Sequence, residues 1–263
     1  MVAGQLGDIL INLNGEIMLK TYKVWDRDPA VEQRTFDRAA GNLPEMESAK
    51  QLRHLISQVY KPDQLILDVG CAAGHYLNSL ESLDPNIKYT GIDATKKYID
   101  FAKENFTNKK NVNFEVADIF KMNDRYSQSH DVVFCCNVLL HLPSVKIPIE
   151  NLVNASRGYV FIRTLVSGNT HLSKFLYSDS FDEDGEPNDF VFQNTYSSKY
   201  LKNIIEGLNI SEFELIEDSF DSAQINAEFS QYKERQSAVT EVLGNKQIAG
   251  SKVFEWAWIK IKK

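Results

Sequence analysis

Between residues 65 and 162 the sequence alternates between short apolar runs and segments whose apolar residues recur at helical spacing. The apolar runs are rich in β-branched and aromatic residues and have the length of buried strands. They lie at 65–67, 89–93, 112–116, 131–136 and 159–162. Strands that alternate with helices form a parallel sheet with helices on both faces. The sequence therefore predicts an α/β fold built on a doubly wound sheet.

Residues 1–62 form a leading segment that we predict to be mostly helical. Apolar residues mark one helix face near its end, and Pro62 is expected to stop that helix because proline lacks a backbone N–H. The face consists of Leu52, Leu55, Ile56 and Val59. We interpret the segment as an N-terminal helical cap on a domain that takes up residues 63–263.

The second half of that domain has a less regular pattern. Strands are predicted at 213–216 and at 253–261, where apolar and polar residues alternate. Two insertions, at about 166–194 and 218–250, separate these strands from each other and from the preceding ones. We expect the insertions to determine specificity, since they lie outside the regular strand and helix pattern.

The composition limits the partners of this chain. It carries 36 acidic and 29 basic residues, for a formal net charge of −7. Proteins that bind nucleic acid present a basic stripe to the phosphates, and the sequence has none. No apolar run has the length of a membrane span, and the N-terminus lacks the basic region of a signal peptide. We therefore predict a cytoplasmic protein that binds neither nucleic acid nor a membrane.

The three cysteines, Cys71, Cys135 and Cys136, do not form the spaced pairs of a disulfide framework. Adjacent residues of a strand point to opposite faces, so Cys135 and Cys136 are poorly placed to share a metal ion. We interpret all three as small buried residues in a reducing compartment, and the sequence implies no metal.

The segment from Leu65 to Gly74 carries the strongest functional signal. An apolar strand runs through Asp68 into a turn of small residues, and a helix is predicted directly after it. Gly70 and Gly74 allow the backbone to pass close to a ligand. Ligands of open α/β sheets bind outside the carboxyl ends of the strands. The segment therefore predicts a ligand site at this turn.

A dinucleotide fingerprint would need further glycines at Ala72 and His75, which disfavours a nicotinamide cofactor. The segment instead resembles motif I of the class I methyltransferases, in which an acidic residue precedes three alternate glycines. Those positions hold Asp68, Gly70, Ala72 and Gly74, so the middle glycine is an alanine. The resemblance implies S-adenosylmethionine as cofactor and S-adenosylhomocysteine as product. It also implies a Rossmann-like, seven-stranded mixed sheet whose last strand is antiparallel.

The resemblance assigns roles to residues at further strand ends. It implies that Asp93 accepts the ribose hydroxyls and that Asp118 meets the adenine amino group, although Asp118 is equally explained as a helix N-cap. The Asp68 carboxylate and the Asn137 carbonyl would face the ammonium group of the cofactor. The implied cofactor-binding residues are Asp68, Gly70, Cys71, Ala72, Gly74, Asp93, Ala94, Asp118, Ile119 and Asn137.

His141 is the candidate catalytic residue. Residues 137–142 resemble the branch of the family that methylates small molecules, in which a histidine near this point is frequent. An acceptor hydroxyl or protonated amine must lose a proton, and a histidine can take it near neutral pH. The alternative is a structural histidine at a helix start. The acceptor is therefore predicted to be a small molecule, and the methylated atom is left open.

Two other groups of residues were candidates for a site. Ser180, Asp182, Asp184 and Gly185 imitate the start of a calcium-binding loop, but Val191 stands where its last ligand belongs, so we interpret 178–190 as a solvated loop. Aromatic residues could form a lid or a cap over the site, or could pack in the core. They are Tyr22, Trp25, Phe36, Phe175, Tyr177, Phe181 and Phe190.

Two functional alternatives remain at this stage. One is a methyltransferase-like binding or partner module without turnover, for which the Ala72 substitution leaves room. The other is a nicotinamide-dependent oxidoreductase on a similar sheet, which the missing glycines disfavour.

Overall fold

The computed structural model describes residues 9–11, 17–19, 25, 29–176, 179–188, 190–210, 212–219, 241–243, 246–249 and 252–263. Its strands are β1 Ile9–Ile11, β2 Ile17–Leu19, β3 Leu65–Val69, β4 Lys88–Asp93, β5 Val112–Val116, β6 His130–Cys136, β7 Ser156–Ser167, β8 Lys174–Leu176, β9 Phe190–Phe192, β10 Tyr196–Ser197, β11 Glu212–Glu217, β12 Glu241–Leu243, β13 Lys246–Ala249, β14 Lys252–Phe254 and β15 Trp256–Lys262. Its helices are α1 Pro29–Ala39, α2 Glu47–Ser57, α3 His75–Leu80, α4 Lys96–Asn105, α5 Asn123–Tyr126, α6 Lys146–Ala155 and α7 Ser198–Glu206. Short 3-10 turns cover Ile119–Lys121 and Leu139–His141.

The central sheet has the strand order β11-β15-β7-β6-β3-β4-β5, and the short β10 joins the end of β7. The strands from β5 to β7 run parallel, whereas β15 is antiparallel to both of its neighbours, β7 and β11. The order reverses at β3, where the chain crosses from one half of the sheet to the other. Both the doubly wound sheet and its antiparallel last strand are confirmed.

Alternate residues of each parallel strand pack into different hydrophobic cores, one on each face of the sheet. Ile66 packs with α2, α3 and α4 on one face of the sheet, whereas Leu67 packs with α6 and α7 on the other. Cys135 and Cys136 are likewise divided between the two faces, as the strand pattern predicted. Because both faces are covered, the strands are apolar almost without interruption.

The N-terminal segment differs in part from the prediction. It contains the helices α1 and α2, but β1 and β2 also pair as an antiparallel hairpin. Helix α2 ends at Ser57, before Val59 and Pro62, so proline is not what stops it. The division of the chain at residue 62 stays a prediction.

Parts of both insertions form strands. Strands β8 and β9 form a hairpin within the first insertion, and the Asp182 carboxylate accepts the backbone N–H groups of Asp184 and Glu186 at its turn. The predicted strand 253–261 is interrupted at Glu255, because β14 belongs to a small sheet with β12 and β13. In the described part of the chain, no helix combines the length and apolar character of a membrane span.

Candidate active site

A cavity of about 290 Å³ lies at the carboxyl ends of β3, β4, β5 and β6. This is the position at which open α/β sheets bind their ligands. Residues that follow the strands form one wall, and the opposite wall comes from α1 and its flanking residues. The first wall includes Gly70, Ala72, Asp93, Ala94, Ile119, Asn137 and Val138, and the second includes Trp25, Val31, Arg34, Thr35, Arg38 and Met46.

The loop after β3 is shaped by glycines and by close packing. Gly70 and Gly74 have φ angles of 79° and 83°, in the left-handed region that favours glycine. A Cβ atom on Gly70 would lie 2.2 Å from Cγ2 of Val138, which lines the cavity. The backbone N–H groups of Gly70 and Cys71 both donate to the Ile92 carbonyl at the end of β4, at 2.7 and 3.0 Å. The loop therefore lies tightly between two strand ends.

Ala72 stands in the same loop with a φ angle of 48°, so it adopts the conformation for which the middle glycine of the motif is suited. Its backbone N–H donates to Asp93 Oδ2 at 2.9 Å. The turn has thus kept its shape despite the alanine. A left-handed alanine costs about 1–2 kcal/mol relative to a relaxed conformation.

We expect Ala72→Gly to leave the free energy of unfolding unchanged or to raise it by up to about 1 kcal/mol, because relief of backbone strain outweighs the entropy of glycine in the unfolded chain. The matched control is Ala73→Gly, next in sequence, buried and without a positive φ angle. That substitution is expected to lower the free energy of unfolding by about 1 kcal/mol. Urea unfolding measures both values, and equal losses would contradict the strain at Ala72.

Asp93 joins the ends of β3 and β4. Its Oδ1 accepts the backbone N–H of Thr95 at 2.8 Å, in addition to the bond between Oδ2 and Ala72. Each carboxylate oxygen can accept a further hydrogen bond. Asp93 also lines the cavity.

Asp68 lies behind the loop and does not line the cavity. It is buried, and its Oδ2 accepts a hydrogen bond from the Tyr89 hydroxyl, with 2.6 Å between the two oxygens. Burial raises the pKa of Asp68 to about 8, with the nearby Asp93 charge adding to the effect. Asp68 therefore contacts Tyr89 and is not among the lining residues, and its role toward a cofactor stays a prediction.

Three other implied ligand residues also lie outside the cavity lining. Cys71 and Gly74 are buried beneath the loop. Asp118 caps the 3-10 turn that follows β5, because its Oδ1 accepts the Phe120 N–H at 2.9 Å. The observed contact of Asp118 is thus that of an N-cap. The next residue, Ile119, lines the cavity.

His141 lines the cavity from the 3-10 turn after β6. Its Nδ1 lies 2.8 Å from the carbonyl oxygen of Phe192 in the first insertion, so Nδ1 carries the proton and Nε2 is left as the acceptor. Burial lowers the pKa of His141 to about 4, so the ring is neutral at pH 7. The edge of Trp25 packs against the ring, with centroids 4.8 Å apart.

Among the other aromatic residues of the predicted cap, Phe36 stacks on Phe101 in the core at 4.0 Å and does not line the cavity. Tyr22 and Tyr177 lie outside the described residues. In the insertion, Phe190 is buried, whereas Phe175 and Phe181 are exposed.

Several lining residues were missed at the sequence level. Arg34 and Arg38 lie one turn apart on α1, and His75 follows the glycine loop. Burial and the nearby positive charge of Arg38 lower the pKa of His75 to about 3. Helical spacing four residues apart predicts that the two arginines share a face, but only the fold reveals that this face meets the cavity.

The comparisons with known proteins agree with this geometry. A family model described as "Methyltransferase domain" matches residues 61–209, which contain the glycine loop and His141. A tRNA U34 carboxymethyltransferase of Helicobacter pylori (strain G27) is 30% identical over 114 residues, covering 40% of this chain and 41% of that protein. The chain thus spans about two-fifths of the length of such curated relatives.

Two solved structures share the fold. An S-adenosylmethionine-dependent methyltransferase from Mesorhizobium loti superposes with a TM-score of 0.51 at 14% identity, covering 81% of this chain and 98% of its own. The N-terminal domain of EvdMO1, crystallised with S-adenosylhomocysteine bound, gives a TM-score of 0.54 at 12% identity, covering 82% and 81%. At such identities the likeness concerns the fold alone.

Proposed function

We propose that this chain, which belongs to the methyltransferase-domain family, is a class I enzyme that uses S-adenosylmethionine to methylate a small molecule, with His141 as general base. The observation that carries the proposal is that His141 lines the same cavity as the glycine loop and Asp93. Because its Nδ1 is bonded to the Phe192 carbonyl, Nε2 is the ring nitrogen that is left to accept a proton.

The residues of the cavity fit the cofactor. The close approach of Gly70 to Val138 leaves backbone next to the ligand space, and Asp93 offers the acceptor oxygens for a ribose. Val69, Ala94 and Ile119 supply apolar surface for an adenine ring. When bound, the cofactor would supply its sulfonium methyl group to the acceptor atom, with S-adenosylhomocysteine as the leaving group. The chain contributes positioning, exclusion of water and acceptance of a proton at His141.

A small acceptor is supported by the walls of the cavity. Helix α1 and Trp25 face the strand ends across the cavity, so an acceptor would bind between two protein walls. The net charge of −7 also weighs against a polyanionic acceptor. The buried thiols of Cys71, Cys135 and Cys136 form no disulfide, which supports placing the enzyme in the reducing cytoplasm.

A second candidate acceptor is tRNA, which is favoured by the names of the Helicobacter relatives. Methyl transfer to the two acceptor classes is distinguished by incubating the full chain with S-adenosylmethionine labelled in its methyl group and either bulk tRNA or a pool of small metabolites. We expect label in the small-molecule fraction and none in tRNA. Labelled tRNA would replace the small-molecule proposal, and His141→Gln serves as the inactive control in both arms.

The cofactor site is tested by calorimetric titration with S-adenosylhomocysteine. We expect a Kd of about 1–100 μM for the wild type and a loss of affinity of roughly 30-fold or more in Asp93→Ala, because both the ribose acceptors and the anchor of Ala72 disappear. The matched control is Asp100→Ala, which removes an exposed carboxylate of α4 outside the cavity. Equal affinity of both variants would exclude Asp93 from the site, and a folded wild type without affinity would overturn the cofactor assignment.

A further inference from the structure

Arg163 lies in the central part of strand β7, next to the apolar residues 159–162, and it is almost completely buried. Its Nη2 pairs with Asp218 Oδ2 at 2.5 Å, and its Nε lies 3.4 Å from Asp218 Oδ1. The guanidinium also stacks over the Trp256 ring, 4.1 Å from its centroid. Because both partners are buried, removal of one would leave an uncompensated charge in the core.

The third nitrogen of the guanidinium reaches the cavity wall. Arg163 Nη1 donates to Asn137 Oδ1 at 2.6 Å, and the backbone N–H of Asn137 donates to the Arg163 carbonyl at 3.0 Å. Asn137 has a φ angle of 62° and lines the cavity directly after β6. Asparagine tolerates the left-handed region better than most residues with a Cβ atom, and Asn137 makes both of its contacts with Arg163 in that conformation.

We propose that Arg163 is a positioning residue, which holds Asn137 in its left-handed conformation and so sets the cavity wall against which the cofactor binds. The proposal rests on the cofactor site of the proposed function. Asp218 binds Nε and Nη2 of the planar guanidinium, and this orientation directs Nη1 toward Asn137. A lysine could not replace this arrangement, since its single ammonium lacks the planar fork.

The ion pair also joins parts of the chain that are distant in sequence. Asp218 follows β11 at the start of the second insertion, and its Oδ1 lies 3.3 Å from Nε1 of Trp258. The same Trp258 nitrogen donates to Gln51 of α2 at 2.9 Å. The position of Asn137 is thereby connected to the last strand and to the N-terminal helices. The guanidinium is the group through which this connection reaches Asn137.

The test compares two substitutions at position 137 that remove the same hydrogen bond. Asn137→Ala and Asn137→Gly both delete the Oδ1 acceptor, but only glycine adopts a positive φ without strain. We expect the Kd for S-adenosylhomocysteine, measured by calorimetry, to be about tenfold higher in Asn137→Ala than in Asn137→Gly. Equal Kd values would overturn the proposal, because the conformation of residue 137 would then not matter for binding.

A double-mutant cycle extends the test to Arg163. In the protein with the native Asn137, Arg163→Met is expected to raise the Kd for S-adenosylhomocysteine about tenfold. In the Asn137→Gly background, where glycine adopts the left-handed conformation without support, the same substitution is expected to raise the Kd less than about threefold. A purely structural role of Arg163 predicts the same loss in both backgrounds, which would overturn the proposal. If Arg163→Met does not fold, Arg163→Lys retains the buried charge beside Asp218 and the same cycle is measured with it. Lack of binding by the wild type itself would instead refute the cofactor site.

Discussion

Gly70→Ala is expected to remove measurable binding of S-adenosylhomocysteine and to lower the free energy of unfolding by about 2–3 kcal/mol. Two effects combine at this position. The φ angle of 79° is strained for any residue with a Cβ atom, and that atom would lie 2.2 Å from Val138 Cγ2. Val138 lines the cavity, so its displacement would move the wall beside the glycine loop. Calorimetric titration and urea unfolding measure the two losses separately.

Gly41 provides a matched control, because its φ angle of 77° is nearly the same but a Cβ atom there would meet nothing within 4 Å. Gly41→Ala should therefore show the backbone strain alone, about 1–2 kcal/mol, with unchanged affinity for the ligand. The double substitution Gly70→Ala with Val138→Ala should recover part of the affinity, since the closest contact is relieved. Binding by Gly70→Ala at the wild-type level would refute the close packing between the loop and Val138.

The ends of the parallel strands were the most predictable part of the molecule. A buried strand has a strong local signal, and the residue after it is brought to the shared edge of the sheet by topology alone. Gly70, Asp93, Ile119 and Asn137 all reached the cavity for this reason. The fold could be predicted for the same reason, because the alternation of strands and helices admits few arrangements.

The direction of a side chain at a strand end was less predictable. Asp68 is the fourth residue of β3 and Asp93 is the last residue of β4, yet Asp68 bonds to Tyr89 in the core whereas Asp93 bonds to the glycine loop. The period of two in a strand fixes which face a residue occupies, but not which face the ligand meets. Motif resemblance therefore placed both carboxylates in the site, and only one of them lines it.

Contacts between distant segments could not be derived from the sequence. The partner of Arg163 lies 55 positions away, and the partner of His141 lies 51 positions away in an insertion outside the regular pattern. A single arginine within the apolar run around 159–166 was a usable signal, since a buried charge needs a partner. It predicts that a carboxylate approaches β7, but it does not indicate which one.

Replacing His141 is expected to have the largest effect on turnover. His141→Gln should lower kcat by roughly 10²–10⁴, the usual contribution of a general base, and should change the Kd for S-adenosylhomocysteine by less than about threefold. His171→Gln, in an exposed part of the first insertion, controls for the loss of an imidazole. A variant that keeps full turnover with the identified acceptor would reduce His141 to a structural role in which it holds Phe192 by its Nδ1 bond.

His141 should also affect how the free energy of unfolding depends on pH, and this effect can be measured without knowing the acceptor. Burial lowers the pKa of His141 from 6.5 to about 4, so between these values the unfolded chain binds a proton that the folded protein does not. Stability from this group is present above pH 6.5 and is lost as the pH falls toward 4. Between pH 7 and pH 5 the loss is about 2 kcal/mol.

His141→Gln removes this pH-dependent contribution to the free energy of unfolding. Urea unfolding of the wild type and the variant at pH 7 and pH 5 should therefore give a difference in pH dependence of about 2 kcal/mol. His75 and Asp68, whose pKa values of about 3 and about 8 are also displaced by burial, contribute to both proteins alike and cancel in the comparison. An identical pH dependence would mean that the imidazole is solvated, and a solvated imidazole with an ordinary pKa would lose activity near pH 6.5 instead of near pH 4.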